Sequence, residues 1–184
     1  MYWYKRYLAF LTGLVVLMTA GCKPDTSSPG RANYFDLKGY FQAEADRMAK
    51  RDPAIVKTSI HNGNSETQHL HIGDWLSEFS LFIASDINKA AWKNSYKADT
   101  SGSFISYTAR DPDLRTHDIL IKKEGNKIKW ILVHNYTKRT VFGKNLSETI
   151  EKLSYFPDSL YQVQRKQYTR MLGTNIYNIK GFIN

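Results

Sequence analysis

The chain reads as an α+β domain, a large antiparallel and curved β-sheet with two helices packed on one face. Three observations predict it. Apolar residues recur at helical spacing in two early stretches, near residues 37–50 and 75–94. From Phe104 to the C-terminus, alternating apolar and polar runs separated by turn sequences take over. Helices that enter early, ahead of a succession of strands joined by short turns, suit a sheet with its helices segregated to one side.

The elements follow in order. Asp36 stands as an N-cap before Leu37, Phe41, Ala45 and Met48, predicting a first helix from about Leu37 to Lys50. It stops before Asp52-Pro53, because the residue preceding a proline avoids helical dihedrals. Ala54 to His61 and Ser65 to Ile72 form a hairpin around Asn62-Gly63-Asn64. A three-residue loop would put Val56, Ile60, Leu70 and Ile72 on one face, with Lys57, Ser59, His69 and His71 on the other. Asp74 then caps the longest helix, about Trp75 to Asn94, whose stripe is Leu76, Phe79, Ile83, Ile87 and Ala90, widened by Trp75, Phe82 and Ala91.

Strands are expected at Phe104–Ala109 and His117–Lys123, on either side of the break Arg110-Asp111-Pro112-Asp113. After Glu124-Gly125-Asn126, Lys127 to Tyr136 is apolar on both faces at its middle, which predicts a central strand. Thr140 to Phe142 continues the meander. Leu146 to Tyr155 fits a helix through Leu146, Thr149, Ile150 and Leu153, and a strand through its neighbours and the Phe156-Pro157-Asp158 turn; the strand is narrowly preferred. Leu160–Met171 and Ile176–Ile183 complete the sheet, joined around Gly173-Thr174-Asn175.

Residues 34–184 are long enough to bury a core without staples. The one cysteine, Cys22, lies before them, so no disulfide can form inside this domain. The 26 basic and 17 acidic residues leave a formal charge of +9, which favours anionic partners such as lipid headgroups or acidic glycans. Nucleic acid is not expected among these partners. The basic residues (Lys122, Lys123, Lys127, Lys129, Lys138, Arg139, Lys144, Arg165, Lys166) are scattered, as on the solvated face and turns of a sheet.

Signatures of catalysis are missing: no Gly-rich phosphate loop, no GxSxG, no HExxH, and no cysteine nucleophile within the domain. No catalytic residue, cofactor or metal is therefore expected. His61, His69 and His71 would make a zinc site if they converged, but the expected register sets Lys57 beside them, and solvent-facing histidines are the plainer reading. His117 and His134 are isolated in sequence. Asp111 with Asp113, and Glu148 with Glu151, are explained by turn chemistry and solubility, since nothing sets either pair across a cleft. Most aromatics belong to a core. Trp75, Phe79, Trp130 and Tyr161 are candidates to contact a ligand, provided that the curved sheet and its helices enclose an apolar space.

The N-terminus carries a different signal. Lys5 and Arg6 precede an apolar run from Tyr7 to Met18, then the small residues Thr19, Ala20 and Gly21, then Cys22. The run is shorter than the ~20 residues needed to span a bilayer, so it fits a secretory leader. A leader ending Ala-Gly-Cys resembles the lipobox of bacterial lipoproteins, although Thr19 stands where Leu, Val or Ile is usual. The resemblance implies a signal peptide over residues 1–21, cleavage before Cys22 and a diacylglyceryl group on its thiol. Residues 22–33, rich in Pro, Ser and Gly, would be the lipidated cysteine and a flexible tether, and 34–184 a single globular domain. Lys23, in place of the Asp that marks inner-membrane retention in some lipoproteins, points to the outer membrane. The expected protein is a membrane-anchored lipoprotein of the bacterial cell envelope. Its domain would bind or assemble rather than catalyse, with an envelope protein or an anionic lipid or glycan as partner. A lipid or lipoprotein carrier with an aromatic-lined cavity is the alternative, and an envelope hydrolase the third reading.

Overall fold

The computed structural model describes residues 33–184. The leader, Cys22 and the tether as far as residue 32 lie outside the described residues. No helix among those described is long and apolar enough to cross a membrane, which says nothing of strands.

Helix α1 spans Leu37–Arg51. Its first N–H groups have no partner within the helix and are met from two places. Asp36 accepts from the Gly39 N–H at 2.8 Å, and Asp86, far along the chain, accepts from Leu37 and Lys38. Asp52 ends the helix ahead of Pro53, in the left-handed conformation. Leu37, Phe41, Ala45 and Met48 are its buried stripe, as the spacing predicts.

Nine strands form one open, curved antiparallel sheet: β1 Ile55–His61, β2 Asn64–Leu70, β3 Tyr96–Ser101, β4 Phe104–Ala109, β5 Thr116–Glu124, β6 Lys127–Val141, β7 Lys144–Phe156, β8 Leu160–Thr169 and β9 Gly173–Ile183. The spatial order is β2-β1-β9-β8-β7-β6-β5-β4-β3. From β3 to β9 it is a plain meander, and the β1–β2 hairpin joins by pairing β1 with β9. Two short helical turns, α2 (Trp75–Glu78) and α3 (Ser80–Ile83), lie with α1 on one side. Every strand residue of the buried core points to that side, from Tyr96, Tyr107, Ile119 and Ile121 through Ile131, Val133, Leu153 and Tyr155 to Tyr161, Val163, Ile55 and Ile183. Phe41 is the hub: it stacks on Phe82 at 4.5 Å and meets Phe79 and Tyr155 edge-on at 5.3 and 5.1 Å.

Four expectations are corrected. The helix expected over Trp75–Asn94 ends at Ile83, followed only by a 3₁₀ turn at Ala90–Trp92. Its continuation would carry Asp86 away from the α1 N-terminus, and Asn88 away from Tyr34 and Phe35, whose backbone it bonds on both sides. Strand β3, unanticipated, occupies residues beyond it. The first hairpin turns on two residues, Asn62 and Gly63, both at positive φ, which suits a type I′ turn. That register sets Lys57 on the helix side, donating to Glu78 at 2.7 Å, and His69 on the opposite face beside Val56. Finally, β8 and β9 are joined by Arg170–Leu172, and Gly173 to Asn175 already belong to β9. The segment Leu146–Tyr155 is strand throughout.

Candidate binding face

The face away from the helices contributes nothing to the buried core, and its composition can be read strand by strand from the register. One row runs Asp118, His134, Lys152, Gln164, Asn178 across β5, β6, β7, β8 and β9. The next row runs Tyr136, Ile150, Lys166, Ile176 across β6 to β9. His134, Lys152, Gln164 and Asn178 of the first row and Ile150, Lys166 and Ile176 of the second line a shallow groove of about 560 Å³, to which Arg165 and Tyr177 also contribute. Ile150 and Ile176 supply apolar floor; Lys152 and Lys166 are exposed and stand over it. No carboxylate is among the lining residues, and Asp118, the end of the first row, lies outside it, 3.4 Å from His134. A bulge at His117 sends Thr116 to the core side and His117 to this face, where it meets His134 at 5.9 Å and Tyr136 at 5.3 Å. The histidines that are isolated in sequence are therefore neighbours at the groove's edge.

On the other side of the same strands sits a buried ionic cluster. Glu151 is 4% exposed. Its Oε2 accepts from Arg115 at 2.7 Å and from Asn135 at 3.1 Å, and its Oε1 accepts twice from Arg165, at 2.7 and 2.9 Å. Burial alone would push this carboxyl up; the two guanidiniums and the Asn135 amide outweigh it and hold it below the usual glutamate range. The network continues from Asn135 to Ser85 Oγ at 2.8 Å and from Arg115 to the Ala84 carbonyl at 3.0 Å, so it ties the end of α3 to the sheet. Glu151 is thus no solubility residue, as the sequence reading had it. It shares a strand face with Leu153 and Tyr155, and this i, i+2, i+4 pattern was the available signal.

A second ionic lock holds α1. Tyr155 donates to Glu44, Glu44 pairs with Arg47 at 2.7 Å, and Arg47 reaches Asp158 in the β7–β8 turn at 2.7 Å. Burial and the Glu44 carboxylate push the Tyr155 phenol far above its ordinary value. Burial likewise raises Tyr96 to about 12, with its hydroxyl donating to the Thr116 carbonyl at 2.8 Å.

Of the aromatics singled out from sequence, Trp75, Phe79 and Tyr161 are brought together, with ring centroids 5.2 to 6.1 Å apart, inside the helix–sheet core at 0–2% exposure. A ligand would have to part the layers to touch them. Trp130 is elsewhere, on the open face beside Phe104 at 5.9 Å. Cys22 lies outside the described residues. The three hairpin histidines go separate ways: His61 stacks on Tyr177 at 4.4 Å, His69 faces the other side, and His71 meets Asp52 at 3.0 Å. No group of three or more potential metal ligands occurs among the described residues. Asp111 accepts from the Asp113 N–H at 2.9 Å, which is turn chemistry.

Compared with known proteins, the chain matches no family model, no curated protein and no solved structure.

Proposed function

We propose that the chain is a lipoprotein of the bacterial cell envelope, held at a membrane through Cys22, whose domain binds an anionic envelope component on the open face of its sheet. The observation that carries this reading is the groove across β6–β9. It joins an apolar floor, Ile150 and Ile176, to the cations Lys152 and Lys166, with amides from Gln164 and Asn178 at one end. Such a surface offers hydrogen-bond donors and positive charge to an anion, and contact area to the apolar part of the same molecule. It contains no nucleophile paired with a base and no carboxylate pair, so binding rather than turnover is what its chemistry supports. The tether would let the domain sweep the volume near its membrane, and the basic residues would bias it towards anionic headgroups or glycans.

The anchor and the groove are tested separately. Intact mass of the protein from the membrane fraction of a diderm host should equal residues 22–184 plus a diacylglyceryl group, and Cys22→Ser should abolish that addition. A mature chain without lipid would remove the anchor. Charge reversal at Lys152 and Lys166 should abolish retention on lipid headgroups or acidic glycans immobilised without a bilayer, and leave the melting temperature unchanged. Retention that survives the double reversal would remove the groove from the reading.

A further inference from the structure

Two hairpin tips stand at the same end of the sheet and carry its most exposed large apolar side chains. Phe142, between β6 and β7, is 98% exposed; Met171 and Leu172, between β8 and β9, are 95% and 80% exposed. Val141, Leu146, Tyr168 and Ile176 are exposed behind them. Scattered surface hydrophobics need no explanation, but a cluster does. The tips are neighbours through the register: the Arg170 N–H donates to the Leu146 carbonyl at 3.0 Å. Phe142 projects about 10 Å beyond that level along the strands, and the two hairpins are about 10 Å apart across them. A sheet tilted by roughly 45° therefore brings both tips to one plane.

The backbone at Phe142 is the second observation. Phe142 and Gly143 have φ of +49° and +71°, a two-residue turn in which a bulky first residue is disfavoured. The same chain makes the same kind of turn at Asn62-Gly63, with φ of +49° and +90° and the residues that the turn prefers. Nothing in the fold needs a phenyl ring at position 142, since it touches almost nothing but solvent.

Charge is the third. Residues 137–147 contain Lys138, Arg139 and Lys144, residues 166–176 contain Lys166 and Arg170, and neither stretch contains an acidic residue. All five cations are exposed, and none is in an ion pair among the described residues. Apolar points with a collar of cations behind them match a bilayer with anionic headgroups: the points enter the acyl boundary and the collar meets the phosphates.

We infer that the β6–β7 and β8–β9 tips dock the domain on an anionic bilayer surface, with Phe142, Met171 and Leu172 inserted. This contact adjoins the groove at Lys166 and Ile176, is otherwise made by residues outside it, and does not depend on lipidation of Cys22. With Cys22→Ser the full chain has no other thiol, so Phe142→Cys, Met171→Cys and, at the opposite end of β6, Asn126→Cys can each carry one environment-sensitive fluorophore. On phosphatidylglycerol-containing vesicles, labels at 142 and 171 should shift to the blue and be quenched by nitroxide-bearing lipid, and the label at 126 should do neither. On phosphatidylcholine vesicles the effect should be lost. Combined Lys138→Glu, Arg139→Glu and Arg170→Glu should abolish the difference between the two lipids. Attachment through the N-terminus alone would leave both tip labels in water, and that result on anionic vesicles would overturn the proposal. Equal insertion into both lipids would overturn the role given to the cationic collar.

Discussion

Glu151→Ala is the perturbation whose cost the structure defines best. The wild-type carboxylate takes one hydrogen bond from Arg115, two from Arg165 and one from Asn135, at 2.7 to 3.1 Å. Removing it leaves Asn135 still bonded to Ser85, but sets two guanidiniums near each other without a counter-charge. Those side chains are 32% and 35% exposed, so water recovers part of the loss. Breaking a fully buried pair costs about 3–5 kcal/mol, and with this rehydration the lower end, about 3 kcal/mol, is expected. For a domain of this size that is a fall of roughly 6–12 °C in melting temperature. Urea unfolding followed by tryptophan fluorescence gives the free energy, and calorimetry gives the temperature. Glu151→Gln adds the proton dependence. The folded carboxyl is held below its ordinary value of 4.5, so its contribution is complete above that pH and is lost as pH falls through the depressed value. The gap between wild type and Glu151→Gln should therefore be constant from pH 7 to 5 and narrow towards acid. A loss under about 1 kcal/mol for the alanine variant, or a gap that stays flat down to about pH 3, would refute the assignment of this cluster as an ionic tie between α3 and the sheet.

Other substitutions test other levels of the structure. Phe142→Asn should stabilise the domain by about 1 kcal/mol in urea unfolding, because asparagine tolerates the left-handed backbone that phenylalanine resists. Phe41→Ala removes the ring on which Phe79, Phe82 and Tyr155 pack and should cost about 3–5 kcal/mol by the same assay. Gly181→Ala would drive a methyl group into the ring of Tyr161, its partner across β8–β9, and should destabilise by at least about 2 kcal/mol; loss of that added cost in a Tyr161→Ala background, itself destabilised, would show the clash to be the cause.

The strands from Phe104 onward were legible because turn sequences punctuate them and their apolar residues alternate. The first helix was legible because its cap, its stripe and its stop agree. The second helix stops at Ile83 for a physical reason: the stripe through Ile87 and Ala90 is real, but Asp86 and Asn88 bond to the backbone of residues 34–38, and this tertiary demand overrides the periodicity. The first hairpin slipped by one residue in the loop, which exchanged the neighbours of Lys57 and His69. At the candidate binding face, the individual cations are visible in the sequence and their alignment is not. Lys152, Lys166 and His134 come from three strands, and only the register sets them side by side. Glu151 taken alone suits a solvated surface; only together with Leu153 and Tyr155, two and four places along its strand, does it fall on the buried face. The cluster of apolar tips likewise needs the pairing of β7 with β8 to be seen.

The position of β9 has a consequence for how the chain is completed. The ninth of the described strands, Gly173–Ile183, is not at an edge: it lies between β8 and β1, and Ile183 pairs with Ile55, 128 residues earlier. During synthesis the first hairpin emerges early and then waits, with one side of β1 unpartnered, until Ile183 is out. Closing that pair spans nearly the whole domain, a slow contact of the kind that leaves a partly finished sheet open to wrong pairing. A chain shortened by its last strand would therefore lose three strands from the sheet, since β1 and β2 are joined to the rest only through β9.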